Sequence, residues 1–363
     1  MVVLVNKMKG TFFILVLVLL CSSTVLAVED GVNLGLQQII ERAVQENIDL
    51  KVAELNLEDA RLNYKKGQLN NLISNSRLLA LQTELVKVQA EEAYKNVRDS
   101  VILDVIGKYI NIISTNQKLI TAQKEVELQA KKVEEVKAQV EVGYKGSLEL
   151  FEQETIYLSA LNSQEKIKDE LEQKVRELKQ KTAVSRDIEI ELIKLVKPAV
   201  WSVSEEDVLA TAISNNIMLK VRRQQVTLAE NDLEKARVSG TPEIDLRKKE
   251  IVLDKTGLEL TKEKQKIEND LQNKYYLHKQ SIKNMDMAEK AVIQAEEHYK
   301  IIKEQSDAGL VSKNDLLSSE VRLYEAENKF TDSIINYYIN MLQLQKAMGL
   351  ELEVDINNED SSK

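Results

Sequence analysis

Apolar residues recur along most of the chain at alternating steps of three and four. Met285, Ala288, Val292, Ala295, Tyr299 and Ile302 follow that rule, and Leu323, Phe330, Ile334, Tyr337, Met341, Leu344 and Met348 resume it after an interruption at Gly309. Upstream, Leu119, Ala122, Val126, Val133, Val136 and Val140 do the same before Gly143. Such spacing keeps one stripe of a helix apolar, and a stripe sustained over many turns predicts long helices packed nearly in line with one another. A plain coiled coil satisfies this periodicity as well as any larger assembly does. Only two prolines, Pro198 and Pro242, punctuate the 363 residues, so a few very long helices are expected rather than many short elements.

The two interruptions resemble each other. "VEVGYKGSLELFEQE" (140–154) and "SDAGLVSKNDLLSSE" (306–320) align at an offset of 166, which pairs Gly143 with Gly309, Leu150 with Leu316 and Glu154 with Glu320. A second echo, at an offset of 169, pairs Ala43, Asn47, Leu50 and Ala60 with Ala212, Asn216, Leu219 and Ala229. The chain therefore reads as two tandem halves. Each predicts a shorter helix, a long helix running to the glycine, a turn, and another long helix back. The long run from 72 to 142 would measure about 105 Å if continuously helical. Gly143 and Gly309 suit the left-handed position that ends a helix. Ser312 and Asp315, in "SKND", match a capping box that opens the next helix, and Glu149 holds the equivalent acidic position in the first half. Helix capping alone would explain both acids.

The first thirty residues follow different rules. Lys7 and Lys9 precede nineteen residues, 10–28, without a charge, and Val25 and Ala27 frame a cleavage-site pattern. That order is the one of a secretory signal peptide cleaved after Ala27, and an uncleaved anchor is the alternative, since about twenty apolar residues can span a bilayer. Both place the remainder outside the cytoplasm. The sole cysteine, Cys21, lies inside this segment, so neither a disulfide nor a thiolate metal site is expected in the mature chain. The formal charge is −9, and Glu and Lys alternate as on solvated helix faces, which gives no basis for binding nucleic acid.

With a leader, two tandem halves, "A-x-x-x-N-x-x-L" opening each (43–50 and 212–219) and "G-x-x-x-x-x-[DE]-L" turning each (143–150 and 309–316), the chain resembles the TolC family of outer-membrane efflux proteins. The likeness spans 34–350. "KARVSGTPEIDL" (235–246) looks like the family's approach to its second β-segment, and "LQKAMGLEL" (344–352) like its closing helix. The resemblance implies an all-α body of two long-hairpin repeats and a homotrimeric hollow tube. It also implies end-on docking to a periplasmic adaptor (membrane fusion protein) and an inner-membrane transporter, in efflux or type I secretion. The turns at Gly143, Gly309 and Ser312 would form the pump-proximal tip, with Glu149 and Asp315 as its acidic gate residues. The implied layout is a signal peptide at 1–27, repeats at 28–183 and 208–350, a connector at 184–207 holding Pro198 and Trp201, and a tail at 351–363. The connector reads either as a plain linker or as a defined subdomain packed against 350–356.

One departure from the family pattern stands out. Family members interrupt each half with a pair of membrane-spanning β-strands, and two such strands with their loop need more than about twenty residues of alternating pattern. Here "ARLNYKKGQLNNLISNSRLL" (60–79) and "GTPEIDL" (240–246) pass almost directly into helix, and two of the four phenylalanines sit in the leader. A barrel-less relative in the cell envelope is the expectation. The competing reading is an exported coiled-coil scaffold or spacer without a conduit; a periplasmic adaptor would need β-rich modules for which no strands are available. No cofactor and no enzyme activity are expected: His278 and His298 lack paired-ligand spacing, and no phosphate loop or nucleophile elbow appears.

Overall fold

The two halves fold as near copies of each other because the same punctuation recurs in each. The structure is a computed structural model that describes residues 34–74 and 77–352; the leader expected at 1–27, Cys21 and the end of the expected tail lie outside the described residues. The first half contributes α1 (Leu36–Glu46), α2 (Ile48–Ser74), α3 (Arg77–Glu141) and α4 (Ser147–Lys181). The second contributes α5 (Glu205–Asn215), α6 (Ile217–Val238), α7 (Glu243–Asp307) and α8 (Lys313–Ala347). α3 and α7 are each 65 residues long, about 98 Å at the rise of an α-helix, and α4 and α8 are each 35.

The expected shorter helix of each half is two helices, because the asparagine of the repeated motif builds a corner. Asn47 ends α1 with its N–H donating to the Ala43 carbonyl at 3.0 Å, while its side-chain oxygen accepts the Leu50 N–H at 2.9 Å and so caps α2. Asn216 repeats both bonds with Ala212, at 2.8 Å, and Leu219, at 2.8 Å. One residue thus satisfies the end of one helix and the start of the next. The flanking Ala43, Leu50, Ala212 and Leu219 are buried, which explains why the motif pairs small and apolar positions with the asparagine.

Among the described residues the helices form a two-level wall. α3 packs on α4 and α8 toward the Gly143 and Gly309 turns, and on α2 and α6 toward the other end. α7 packs on α8 and α6 in the same fashion. The order across the wall is therefore α4–α3–α8–α7 at one level and α2–α3–α6–α7 at the other. Gly67 of α2 lies against Thr83 of α3, where a Cβ would collide with the threonine methyl.

The main core lies at mid-height. Val101, Ile102, Val105, Ile106, Tyr109, Ile110, Ile112 and Ile113 of α3 are buried against Ile39 and Ile40 of α1, Leu178 of α4, and Ile334, Ile335 and Tyr337 of α8. The segment between α4 and α5 covers this core with Val184, Leu195, Ile188, Ile190 and Leu192, and Leu352 packs there too. Trp201 and Val203 join a second cluster with Leu271, Leu344 and Leu350. The packing expected between the connector and 350–356 thus includes Leu350 and Leu352; 353–356 lie outside the described residues. No strand is present among the described residues, only one isolated parallel bridge between Leu34 and Ile190. Where the second strand pair would enter, α6 and α7 are joined by four residues, 239–242, with Gly240 at φ +70°.

Candidate functional site: hairpin tips and open margins

Both hairpin tips close by the same hydrogen bonds. Gly143 and Gly309 share φ +74°. The N–H after each reaches back five residues, Tyr144 to the Gln139 carbonyl and Leu310 to the Gln305 carbonyl, at 2.8 Å in both cases. The glycine N–H groups bond Val140 and Ser306 at 3.0 Å. This is the Schellman pattern, and its left-handed residue favours glycine because a Cβ there crowds the following carbonyl.

The helices that leave the tips start differently. Ser312 caps α8: its hydroxyl accepts the Asp315 N–H at 3.1 Å and donates to the Asp315 carboxylate at 2.7 Å, and the same carboxylate accepts the Ser312 N–H at 3.0 Å. Donation from the Ser312 hydroxyl and then its amide holds the Asp315 carboxyl below the usual carboxylate range. α4 starts at Gly146, which has no side chain to offer, and the Glu149 carboxylate folds back to within 2.9 Å of where a Gly146 Cβ would sit. Asp315 and Glu149 therefore occupy the same first-turn position on the two returning helices. Around them Val142, Tyr144, Leu148, Phe151 and Leu310 are exposed, an apolar collar at the tip.

Between tip and core, side chains tie the first half to the second. Ser114 donates to Asp332 at 2.6 Å, Lys118 pairs with Asp332 at 3.2 Å, Asn328 donates to Thr121 at 2.7 Å and Lys124 pairs with Glu320 at 3.2 Å. Nearest the tip, Asn314 donates to Glu135. These contacts run down the α3–α8 seam and fix its register.

The two margins of the wall are unfinished. On one margin α2 exposes Ile48, Val52, Leu55, Leu62 and Leu69, and α4 exposes Leu148, Phe151 and Leu158. On the other, α7 exposes Ile244, Ile251, Leu258, Tyr276, Met287 and Ile301, with Ile244 at 74% and Leu258 at 71%. At about 100° per residue these six fall within an arc of about 60°, a stripe along the helix, while Val252, Leu277 and Ile293 of α7, also exposed, lie outside it. A stripe of large apolar side chains at helical spacing on an open margin is what a helix presents to a partner helix.

Sequence reasoning identified the turns and caps but missed a set of clasps on the connector. Tyr109 of α3 donates its hydroxyl to the Glu191 carbonyl at 2.6 Å and accepts the Ile193 N–H at 3.3 Å. Tyr337 of α8 repeats the pattern eight residues on, donating to Ala199 at 3.3 Å and accepting from Trp201 at 2.7 Å. On α7, His278 bonds the Trp201 carbonyl at 3.0 Å, while Asp286 and Glu289 hold Lys197 at 3.1 and 2.6 Å. The connector is thus strapped across α3, α8 and α7. Among the described residues no group of three or more His, Cys, Asp or Glu is placed to hold a metal, and no helix is long and apolar enough to cross a membrane.

The same overall fold occurs in solved structures. The outer membrane protein VceC of Vibrio cholerae superposes with a TM-score of 0.63 at 14% identity, over 88% of this chain and 97% of that one. The CmeC outer membrane channel of Campylobacter jejuni gives 0.63 at 15%, over 88% and 87%. The open-state MtrE outer membrane channel of Neisseria gonorrhoeae gives 0.59 at 17%, over 87% and 89%. The fold is that of the TolC-like channels. At these identities the likeness is one of fold. No protein-family model matches the sequence, and the curated proteins contain no match to it. These neighbours are outer membrane proteins and channels rather than enzymes. Relative to TolC-like channels, this chain keeps both helical hairpins and has only the 239–242 turn where the second strand pair would stand.

Proposed function

We propose that three copies of this chain join margin to margin into a hollow α-helical duct of the cell envelope, serving efflux or type I secretion. The observation that carries this reading is the pair of exposed apolar stripes at opposite margins of the wall, α2 and α4 on one side and α7 on the other. Two different surfaces meeting in this way make a heterologous contact, which closes into a ring when the rotation between copies allows it. The number three, the periplasmic adaptor and the inner-membrane transporter come from the likeness to TolC-like channels. The Gly143 and Gly309 tips, with their collar of Tyr144, Phe151 and Leu310, would be the surface that meets the adaptor. Threefold symmetry would gather Asp315 and Glu149 into acidic rings, which attract cations and repel anions at the opening. In this reading the chain with its leader reaches the envelope, and the connector at 184–207 is the belt that joins the repeats 28–183 and 208–350.

Electron-microscope images of the exported chain, purified without detergent, test the proposal. End views should show a ring with a central hole, and side views a cylinder on the order of 100 Å long. Solid rods without a hole would defeat the conduit reading and leave an exported helical scaffold.

A further inference from the structure

His278 is the one buried histidine and sits where the connector crosses α7. Only 2% of its surface is exposed. Its Nε2 lies 3.0 Å from the Trp201 carbonyl, an acceptor, so Nε2 carries the hydrogen of the neutral ring. Nδ1 is buried and has no hydrogen-bond partner. The ring is flanked by Trp201 at 5.4 Å and Tyr337 at 5.5 Å between centroids. Tyr337 in turn accepts the Trp201 N–H, so both backbone groups of Trp201 are held within this cluster.

We propose that His278 is a pH-sensitive latch on the connector: protonation of its buried Nδ1 releases Trp201 and loosens the belt that straps the two halves together. A proton on Nδ1 adds a charge and a donor in a place that offers no acceptor. None of the elements packed around it supplies a compensating charge. On α8, residues 333–342 carry no ionic side chain, only the phenols of Tyr337 and Tyr338. The connector has none from Pro198 to Ser204. On α7, Lys274 is paired with Asp270 at 2.5 Å, Lys279 lies over the Tyr275 ring, and Asp286 and Glu289 are engaged by Lys197. The acids that open α5, Glu205, Glu206 and Asp207, are exposed, and Asp207 turns back onto Ser204 at 2.7 Å. The tilted rings beside the imidazole, at 53° and 38°, give a cation less than a face-on pair would.

Burial therefore lowers the pKa of His278 from its usual value of 6.5, with the Trp201 carbonyl offsetting part of the shift. Its folded pKa is depressed, so the latched state is fully favoured above about pH 6.5 and loses stability as pH falls through the folded value. Between the two values the released population rises by up to about tenfold per pH unit.

Trp201 is the only tryptophan, so its fluorescence reads the latch directly. The full exported chain is titrated from about pH 8 to about pH 4.5 while emission wavelength, acrylamide quenching and far-UV circular dichroism are followed. The expected result is a reversible red shift and stronger quenching below about pH 6.5, with helix content unchanged. The transition should persist in His298→Gln, which removes the exposed histidine, and vanish in His278→Gln, which keeps a donor for the Trp201 carbonyl. A flat wild-type titration, or loss of the transition in His298→Gln, overturns the proposal. So does an unchanged transition in folded His278→Gln, which would assign it to carboxylates such as Glu327. If His278→Gln fails to fold, the imidazole proton resonance of His298→Gln, whose one histidine is His278, decides: the emission change must share its midpoint, and a different midpoint overturns the proposal.

Discussion

Replacing Asn47 with alanine should destabilise the fold more than the same change at its repeat partner Asn216. At both positions the side-chain oxygen caps a helix, and loss of such a cap costs about 0.5–2 kcal/mol. The two differ in what is left behind. The Leu50 N–H that Asn47 serves is buried, on a residue only 3% exposed, so without its acceptor it faces neither water nor protein. Stranding a buried donor costs about 1–3 kcal/mol, and this penalty overlaps with the capping loss instead of adding to it. About 2 kcal/mol is expected for Asn47→Ala. Leu219 is as buried as Leu50, but the capping Asn216 is more exposed than Asn47, so water can take the place of its side chain at the Leu219 N–H and about 1 kcal/mol is expected for Asn216→Ala. Asn47→Ser keeps an acceptor and should recover most of the loss. Urea denaturation followed by circular dichroism gives these differences from the midpoints at constant slope. If Asn47→Ala lies within about 0.3 kcal/mol of the wild type, the corner does not depend on this bond and the physical account of the repeated motif fails.

Three other outcomes follow from the geometry. Tyr337→Phe strands the Trp201 N–H and the Ala199 carbonyl, and should cost about 1–3 kcal/mol in denaturation while raising the exposure of Trp201 to quenchers. Gly309→Ala meets no atom within 4 Å, so its cost is backbone strain alone, about 1–2 kcal/mol by thermal or chemical unfolding, and Gly143→Ala should match it. Leu258→Glu on the α7 margin alters a residue already exposed in the protomer, so unfolding should change by less than about 0.5 kcal/mol while sedimentation shows loss of the assembled species.

What the sequence reveals and what it conceals divide along the range of the interactions. Gly143, Gly309 and the Ser312–Asp315 box are legible because each depends on residues within five positions of one another, and the structure holds them in the expected geometry. The apolar seams are legible for the same reason. Residues such as Met285, Ile334, Tyr337 and Leu344 are buried because helical periodicity fixes which face they share. The corner at Asn47 is visible as a repeat but not as a corner, since an asparagine that ends one helix and starts the next reads like one inside a single helix. The connector clasps are illegible. Tyr109 meets Glu191 across 82 positions, Tyr337 meets Ala199 across 138, and His278 meets Trp201 across 77. No local pattern marks a tyrosine as destined to bond a distant backbone. His278 reads from its spacing only as a poor metal ligand, although the neighbouring aromatic positions give it an enclosed site.

α3 and α7 are equal in length, as are α4 and α8, while α2 has 27 residues against 22 in α6. The α3–α8 contacts set the register of one hairpin on the other, with Lys118 and Ser114 converging on Asp332 and Lys124 on Glu320. A wall with exposed apolar residues on each margin raises the question of what covers those margins.

Light scattering on residues 28–363, purified without detergent, addresses that question most directly. A mass three times that of the protomer, independent of concentration and reduced to one protomer by Leu258→Glu, is the result predicted for margins that close on copies of the same chain. A wild-type mass of one or two protomers across the same concentrations would contradict it.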